Sequence, residues 1–235
     1  MKKIKNYITP AILIISLVGL IVWQFVFKSL NFYIICAAML VLSMLPFFIS
    51  FERRKTSAAE ISLTATLIAL AVASRAAFYL IPQVKPIAAV VIVSAVCLGA
   101  ERGYIIGAFS AFISNFIFGQ GYWTPFQMAA LGAVGLIAGL LFSSEKIKKS
   151  GVKFRALISA AGFVLAFAVY GLIVDLSTIL FVQGSKPTLS GALSVYAAGV
   201  PFSLVFGIST AVFLFLFAEP FIRKVDRVII KFGMK

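Results

Sequence analysis

Residues 98–140 read LGAERGYIIGAFSAFISNFIFGQGYWTPFQMAALGAVGLIAGL, and this stretch decides the fold. It holds two apolar segments of membrane-spanning length, joined by a short loop rich in glycine, aromatic and amide residues. The pattern predicts one helix that ends near Phe118 and a second that starts near Pro125, where the first turn of a helix tolerates proline. The sequence therefore predicts a hairpin of two membrane helices.

Polar groups concentrate in this loop and one helical turn inside either helix. Three of them are the amides Asn115, Gln120 and Gln127. The loop also carries Tyr122 and Trp123. Buried amides in a bilayer need hydrogen-bond partners, so the cluster indicates the mouth of a small-molecule site. An interfacial belt of aromatic residues, which needs no ligand, explains the two aromatic residues equally well.

Composition places the chain in the membrane. Hydrophobic residues make up 62% of the 235 residues and charged residues only 12%, with a mean hydropathy of +1.10, far outside the usage of soluble domains. The net charge of +14 would indicate nucleic acid in a soluble protein, but the basic residues gather in short segments between apolar runs. We therefore expect one integral domain in the lipid bilayer and no nucleic-acid partner.

Apolar runs along the whole chain predict an all-α protein of about eight transmembrane helices. The run at 87–98 is too short to cross a core of about 30 Å upright, so it must borrow flanking residues or be shielded by its neighbours. We expect Pro201 to interrupt the last span, and the basic tail to form an amphipathic surface helix. The predicted spans are 8–27, 32–51, 58–80, 87–98, 101–118, 125–142, 156–176 and 191–217, and the tail is 219–235.

The distribution of basic residues predicts the topology. If both termini are cytoplasmic, 17 of the 21 lysines and arginines fall on the cytoplasmic side. This asymmetry favours that orientation in the plasma membrane. The loop with the aromatic and amide residues then faces outside.

The sequence lacks the parts of an enzyme. It contains no histidine, no carboxylate pair on one face, no phosphate-binding loop and no metal-ligand spacing, so we predict no catalysis, no metal and no cofactor. Cys36 and Cys97 lie inside apolar runs and are interpreted as small packing residues. An energised transporter of this sequence needs an ATPase from another protein.

Three charged residues extend the candidate site. Arg75 and Asp175 lie inside spans, near their outer ends, and Lys85 lies in the segment that follows the span at 58–80. Charges in a span face the bundle interior or an aqueous cavity and usually have a partner. Two interpretations stay open: Arg75 and Asp175 pair with each other, or all three line one outward-facing cavity with the amides.

The span at 58–80 carries a stripe of small residues. Ala65, Ala69 and Ala73 follow one another at a spacing of four, which places them on one face of a helix and lets another helix approach closely. Ordinary packing within the bundle and docking of a partner helix are both compatible with this pattern.

The glycine-spaced helix, the FGQGYWTPFQM loop and the helix ending in GLIAG resemble the substrate-binding S component of energy-coupling factor (ECF) transporters. The resemblance covers about Ala58 to the C-terminus. It implies a six-helix core at 57–218, preceded by an added hairpin at 1–56 and followed by the tail. It also implies that the alanine stripe docks on a transmembrane coupling (T) subunit, which works with a pair of ATP-binding-cassette ATPases.

The resemblance implies capture of a vitamin or related micronutrient from outside. The loop and the PQVKP segment at 82–86 look most similar to S components assigned to corrinoids such as cobalamin. Thiamine precursors, riboflavin, biotin and folate stay open. The alternative is an ion-coupled secondary transporter, against which stand the single clear carboxylate in a span and the lack of an inverted repeat.

Overall fold

The part of the chain that the structure describes is helical throughout. The computed structural model describes Gly19, Val22 and residues 31–53, 57–142, 151–184 and 188–234. The predicted first span, 8–27, lies outside these residues except for its two described positions. Seven helices occur in the described ranges: α1 Phe32–Arg53, α2 Ala58–Ala77, α3 Ile87–Leu98, α4 Ala100–Phe118, α5 Thr124–Phe142, α6 Gly151–Gln183 and α7 Leu189–Lys231.

Four of these helices, α2, α5, α6 and α7, are long and apolar enough to cross a membrane. Shorter apolar helical segments occupy Phe32–Leu45 in α1 and Ile87–Leu98 in α3. The predicted class, an all-helical membrane protein, is therefore confirmed. The predicted count of eight helices is not, because the described residues hold seven.

The hairpin of α4 and α5 forms the centre of the bundle. The observed ends agree with the prediction, since α4 ends at Phe118 and Pro125 lies in the first turn of α5. Gly107 and Gly135 lie against the backbone of the facing helix, where a Cβ atom would overlap with carbonyl groups. These glycines let the two helices pack backbone to backbone, as small residues do in membranes.

The short helix α3 is shielded by its neighbours, which is one of the two predicted solutions. It is buried from Ile87 to Val96 except at Val90. It packs against α2, α4, α5 and α7. A twelve-residue helix in this position need not span the bilayer, because protein rather than lipid surrounds it.

The last helix differs from the prediction. Pro201 and Pro220 lie inside α7, which runs without interruption from Leu189 to Lys231. Neighbouring helices can compensate for the hydrogen bonds that proline removes. The predicted tail is thus the end of α7, and its residues Val225 and Ile229 are buried in a cluster with α2, α3 and α4.

Helix α1 packs on the α4–α5 hairpin and leaves the alanine stripe of α2 uncovered. Its buried residues Ile35, Met39 and Ser43 follow at a spacing of four and form one face. Phe126 and Leu180 belong to the same apolar cluster.

Candidate functional site

A cavity of about 480 Å³ lies at the end of the bundle near the α4–α5 loop. Cavities of this size hold small organic molecules. Residues from α2, α4, α5, α6, α7 and the α2–α3 loop surround it. Its polar lining residues are Arg75, Gln83, Lys85, Gln127, Asp175 and Ser203, and its aromatic lining residues are Tyr79, Phe118, Tyr170, Phe202 and Phe206.

Arg75 is held in place by two residues of α4. Its Nη1 donates to Oδ1 of Asn115 at 2.8 Å and also to the hydroxyl of Ser114. Asn115 is 1% exposed, so the guanidinium donates to a buried amide. The arginine therefore presents a positioned cation to the cavity. Inside a bilayer, a charged side chain needs polar partners such as these.

The same asparagine orients Gln127 on α5. Its Nδ2 donates to Oε1 of Gln127 at 2.8 Å and to Oγ1 of Thr124 at 3.0 Å. The network extends into the loop, where the Thr124 hydroxyl donates to Oε1 of Gln120 at 2.9 Å. The predicted amide cluster is thus a connected network that fixes Arg75 and Gln127 toward the cavity.

Lys85 and Phe118 form the wall beside Arg75. The Phe118 ring centroid is 4.2 Å from the Arg75 guanidinium carbon and 5.2 Å from the Lys85 ammonium nitrogen. Lys85 also donates to the carbonyl oxygens of Phe78 and, at 3.1 Å, Tyr79. Burial, and secondly the charge of Arg75, lower the pKa of Lys85 below its ordinary value. Two cations and an aromatic ring thus share one side of the cavity.

A further part of the cavity lining comes from α6 and α7. A π-helical turn, Leu165–Tyr170, interrupts α6 beside the cavity, and such turns are frequent at functional sites. Tyr170 packs on Phe206 with ring centroids 4.7 Å apart. Asp175 lies against Gly199, where any side chain would overlap with its carboxylate. This close approach of α7 leaves the carboxylate half-buried on the cavity wall.

Arg75 and Asp175 do not pair. Both lie in described ranges, and no ion pair joins them there. The interpretation as a structural ion pair is therefore wrong. The two residues line the same cavity instead, because the amide network already satisfies the guanidinium on its own side.

The aromatic residues of the loop lie away from the cavity lining. Tyr122 stacks on Phe181 of α6 with ring centroids 3.9 Å apart and planes at 8°. It also meets Phe32 of α1 and Trp123 edge to face. Gln120, likewise absent from the lining, donates to a backbone carbonyl of α4 at 3.0 Å. Tyr122 therefore joins α1 to α6, and a role of Gln120, Tyr122 and Trp123 in binding stays a prediction.

The alanine stripe lies on the surface of the bundle. Ala65, Ala69 and Ala73 are all exposed, while the opposite face of α2 buries Leu67 and Ala71. Packing within the described bundle therefore does not account for the stripe. A surface of small side chains is what close approach of another helix requires.

The aromatic residues of the cavity lining were not predicted from the sequence. Tyr79, Tyr170, Phe202 and Phe206 line the cavity, but phenylalanine is too common in this chain, at 24 residues, to mark a site. Ser203 also lines the cavity. It was the available signal for this part of the site, because it is a hydroxyl two residues after a proline within an apolar span.

Fold and cavity define a helical membrane protein with a small-molecule cavity at one end of its bundle. Residues 55–221 match the family described as ECF-type riboflavin transporter, S component. The match spans more than half of the chain, which therefore belongs to this family of ECF S components. No curated protein and no solved structure matches the chain. Membership makes it a multi-pass plasma-membrane protein and a substrate-binding subunit of vitamin transport, not an enzyme.

Proposed function

We propose that this subunit captures riboflavin, or a flavin closely related to it, from outside the cell. The observation that carries the proposal is the cavity itself, which combines aromatic walls with a cation held by buried amides. The family match names riboflavin. The expectation of a corrinoid receives no support from that match, and about 480 Å³ is small for a corrin ring with its appended nucleotide.

The cavity residues suit the chemistry of a flavin. Its flat ring system can stack on aromatic side chains such as Tyr170 and Phe206. Its ring carbonyls accept hydrogen bonds, and Arg75 and Gln127 offer donors on one side of the cavity. Its polyol chain donates hydrogen bonds, for which Asp175 in the cavity lining is an acceptor.

Equilibrium binding to the purified protein tests this proposal. A panel of riboflavin, thiamine, biotin, folate and cobalamin is titrated, with flavin fluorescence or calorimetry as the readout. We expect riboflavin to bind at least about a hundredfold more tightly than the others, since unmatched buried polar groups are costly. Tighter binding of any other vitamin in the panel contradicts the proposal.

Transport by this subunit requires partners that supply energy. We propose that the exposed stripe Ala65, Ala69 and Ala73 docks on the T subunit of an ECF transporter, which couples it to a pair of ATP-binding-cassette ATPases. Support comes from the exposure of the stripe and from the family. The stripe and the cavity share no residue, so docking and binding can be separated by mutation.

We also propose that both termini are cytoplasmic. The asymmetry of basic residues supports this orientation. It places the cavity at the outer face, where a substrate for uptake arrives. The end of α7, in which four basic residues outnumber Glu219 and Asp226, then lies at the cytoplasmic face.

A further inference from the structure

A second groove lies on the outside of the bundle between α2, α3 and α7. Its volume is about 290 Å³, and it shares no lining residue with the substrate cavity. Leu70 of α2, Val93 of α3 and Phe217 of α7 lie along it. The exposed fractions of Leu70 and Phe217 are 42% and 56%, so the groove opens to the surroundings of the bundle.

The groove offers an occupant little hydrogen bonding. Its one side-chain hydroxyl, on Ser74, donates to the Ala71 carbonyl of its own helix at 2.8 Å. Water has no partners in such a groove. The apolar molecule available to fill it in a bilayer is a lipid acyl chain, which gains van der Waals contacts along the walls.

The two ends of the groove differ. At one end Phe78 of α2 meets Phe213 of α7 edge to face, with ring centroids 5.2 Å apart. This contact joins the two helices and limits the groove there. Phe221 lies at the other end. An acyl chain therefore enters from the end at Phe221, which is the end of the bundle that carries the basic residues of α7.

Basic residues continue α7 beyond this end of the groove. Lys224 follows Phe221 by three residues and Phe217 by seven, so it continues the groove face of α7 by one turn. Lys224 is exposed, as is Arg227 one turn further. The largely apolar groove and the two exposed cations beyond it, in a turn that also holds Asp226, are complementary to the two parts of an anionic phospholipid.

We propose that this groove and Lys224 form a binding site for one anionic phospholipid, with an acyl chain along α2, α3 and α7 and the phosphate at Lys224. The site is separate from the vitamin cavity. Its occupant is a lipid of the leaflet at the basic end of the bundle.

Native mass spectrometry of the full chain, delipidated in detergent, tests the proposal. Phosphatidylglycerol and phosphatidylcholine with the same acyl chains are titrated, and bound lipids per chain are counted. We expect one phosphatidylglycerol to bind about fivefold more tightly than phosphatidylcholine, the factor for one cation near an anionic headgroup. Lys224→Gln should remove this preference, while Lys153→Gln, an exposed lysine on α6, should keep it.

Filling the groove tests the position of the acyl chain. Leu70→Trp should abolish binding of the single tight lipid, and Ile61→Trp, an exposed position on the same helix outside the groove, should not. Phe217→Ala removes one exposed wall without adding bulk and should weaken binding of both lipids.

Three results overturn the proposal. Equal affinity of the wild-type chain for the two lipids removes the headgroup site. Lipid binding by both Leu70→Trp and Phe217→Ala at the wild-type level removes the groove. If instead no tight lipid is found and Leu70→Trp blocks co-purification with a coupling subunit, the groove docks protein rather than lipid.

Discussion

Asn115 does not line the cavity, but it hydrogen-bonds to two residues that do. Its side chain accepts a hydrogen bond from Arg75 and donates one to Gln127, and both of those residues line the cavity. We therefore propose that the asparagine is a positioning residue. We expect its contribution to binding to be indirect, through the two side chains that it orients.

Replacing Asn115 should lower the affinity for riboflavin even where the variant protein stays folded. Asn115→Leu removes an acceptor from a charged donor, a loss of about 1.5–3 kcal/mol, so we expect riboflavin affinity to fall about tenfold or more. Asn115→Asp retains the acceptor for Arg75 and should recover most of that loss. Calorimetric titration of folded, monodisperse protein measures both.

The matched control for this prediction is Ser94→Ala. Ser94 is equally buried but hydrogen-bonds only within its own helix, to the Val90 carbonyl. We expect the Ser94→Ala variant to bind riboflavin with wild-type affinity. Wild-type affinity of Asn115→Leu would contradict the positioning role.

Arg75 and Asp175 should behave as independent residues in a double-mutant cycle. They form no ion pair, so the stability losses of Arg75→Ala and Asp175→Ala should add to within about 0.5 kcal/mol. Each variant should also bind riboflavin more weakly, because each loses a cavity group. Thermal unfolding and ligand titration of the two single variants and the double variant provide the measurement. Recovery of stability in the double variant would instead show a buried pair.

Part of the site could be predicted residue by residue, because charges and amides in an apolar chain are conspicuous. Arg75, Lys85, Gln127 and Asp175 were all predicted, and all line the cavity. What sequence cannot distinguish is an amide that faces a cavity from one that holds its neighbour, as Asn115 does.

At the scale of elements, turn chemistry located the ends of the central hairpin. Pro125 lies in the first turn of α5, and Gly119, whose φ is +99°, caps the end of α4 in a conformation that favours glycine. The end of α6 was placed too early, at residue 176. Ser177 and Thr178 resemble the start of a loop in sequence, yet the helix continues to Gln183 and the Ser177 hydroxyl donates to the Val174 carbonyl of the same helix. The π-helical turn has no sequence signal.

The alanine stripe on α2 belongs to the same scale and has its own test. Ala69→Trp should block close approach of a partner helix and abolish vitamin uptake in cells that carry the coupling subunits. Riboflavin binding to the purified variant should stay within about twofold of wild type, because α2 meets the cavity only near Arg75.

Ala160→Trp is the matched control for the stripe, since Ala160 is an exposed alanine on α6. It should support uptake as the wild type does. If uptake survives in Ala69→Trp, or if binding is lost together with uptake, the stripe is not the docking surface.

At the scale of the whole molecule, the family match covers most of the chain. The family match begins at residue 55, so α1 lies before it and packs on the central hairpin from outside. The composition and the spacing of apolar runs predicted the membrane class, since both follow from the bilayer. The cavity is a property of the assembled bundle, and its size could not be predicted from any one segment.

Reconstituted uptake tests the central claim most directly, that this chain binds a vitamin which other subunits then move. Labelled riboflavin is offered to proteoliposomes that hold the chain alone, the chain with a T subunit and its ATPase pair, or the same complex with hydrolysis-deficient ATPases. We expect the chain alone to bind riboflavin without accumulating it, and accumulation only in the active complex with ATP. Accumulation by the chain alone under an imposed proton or sodium gradient would show an ion-coupled secondary transporter and contradict this account.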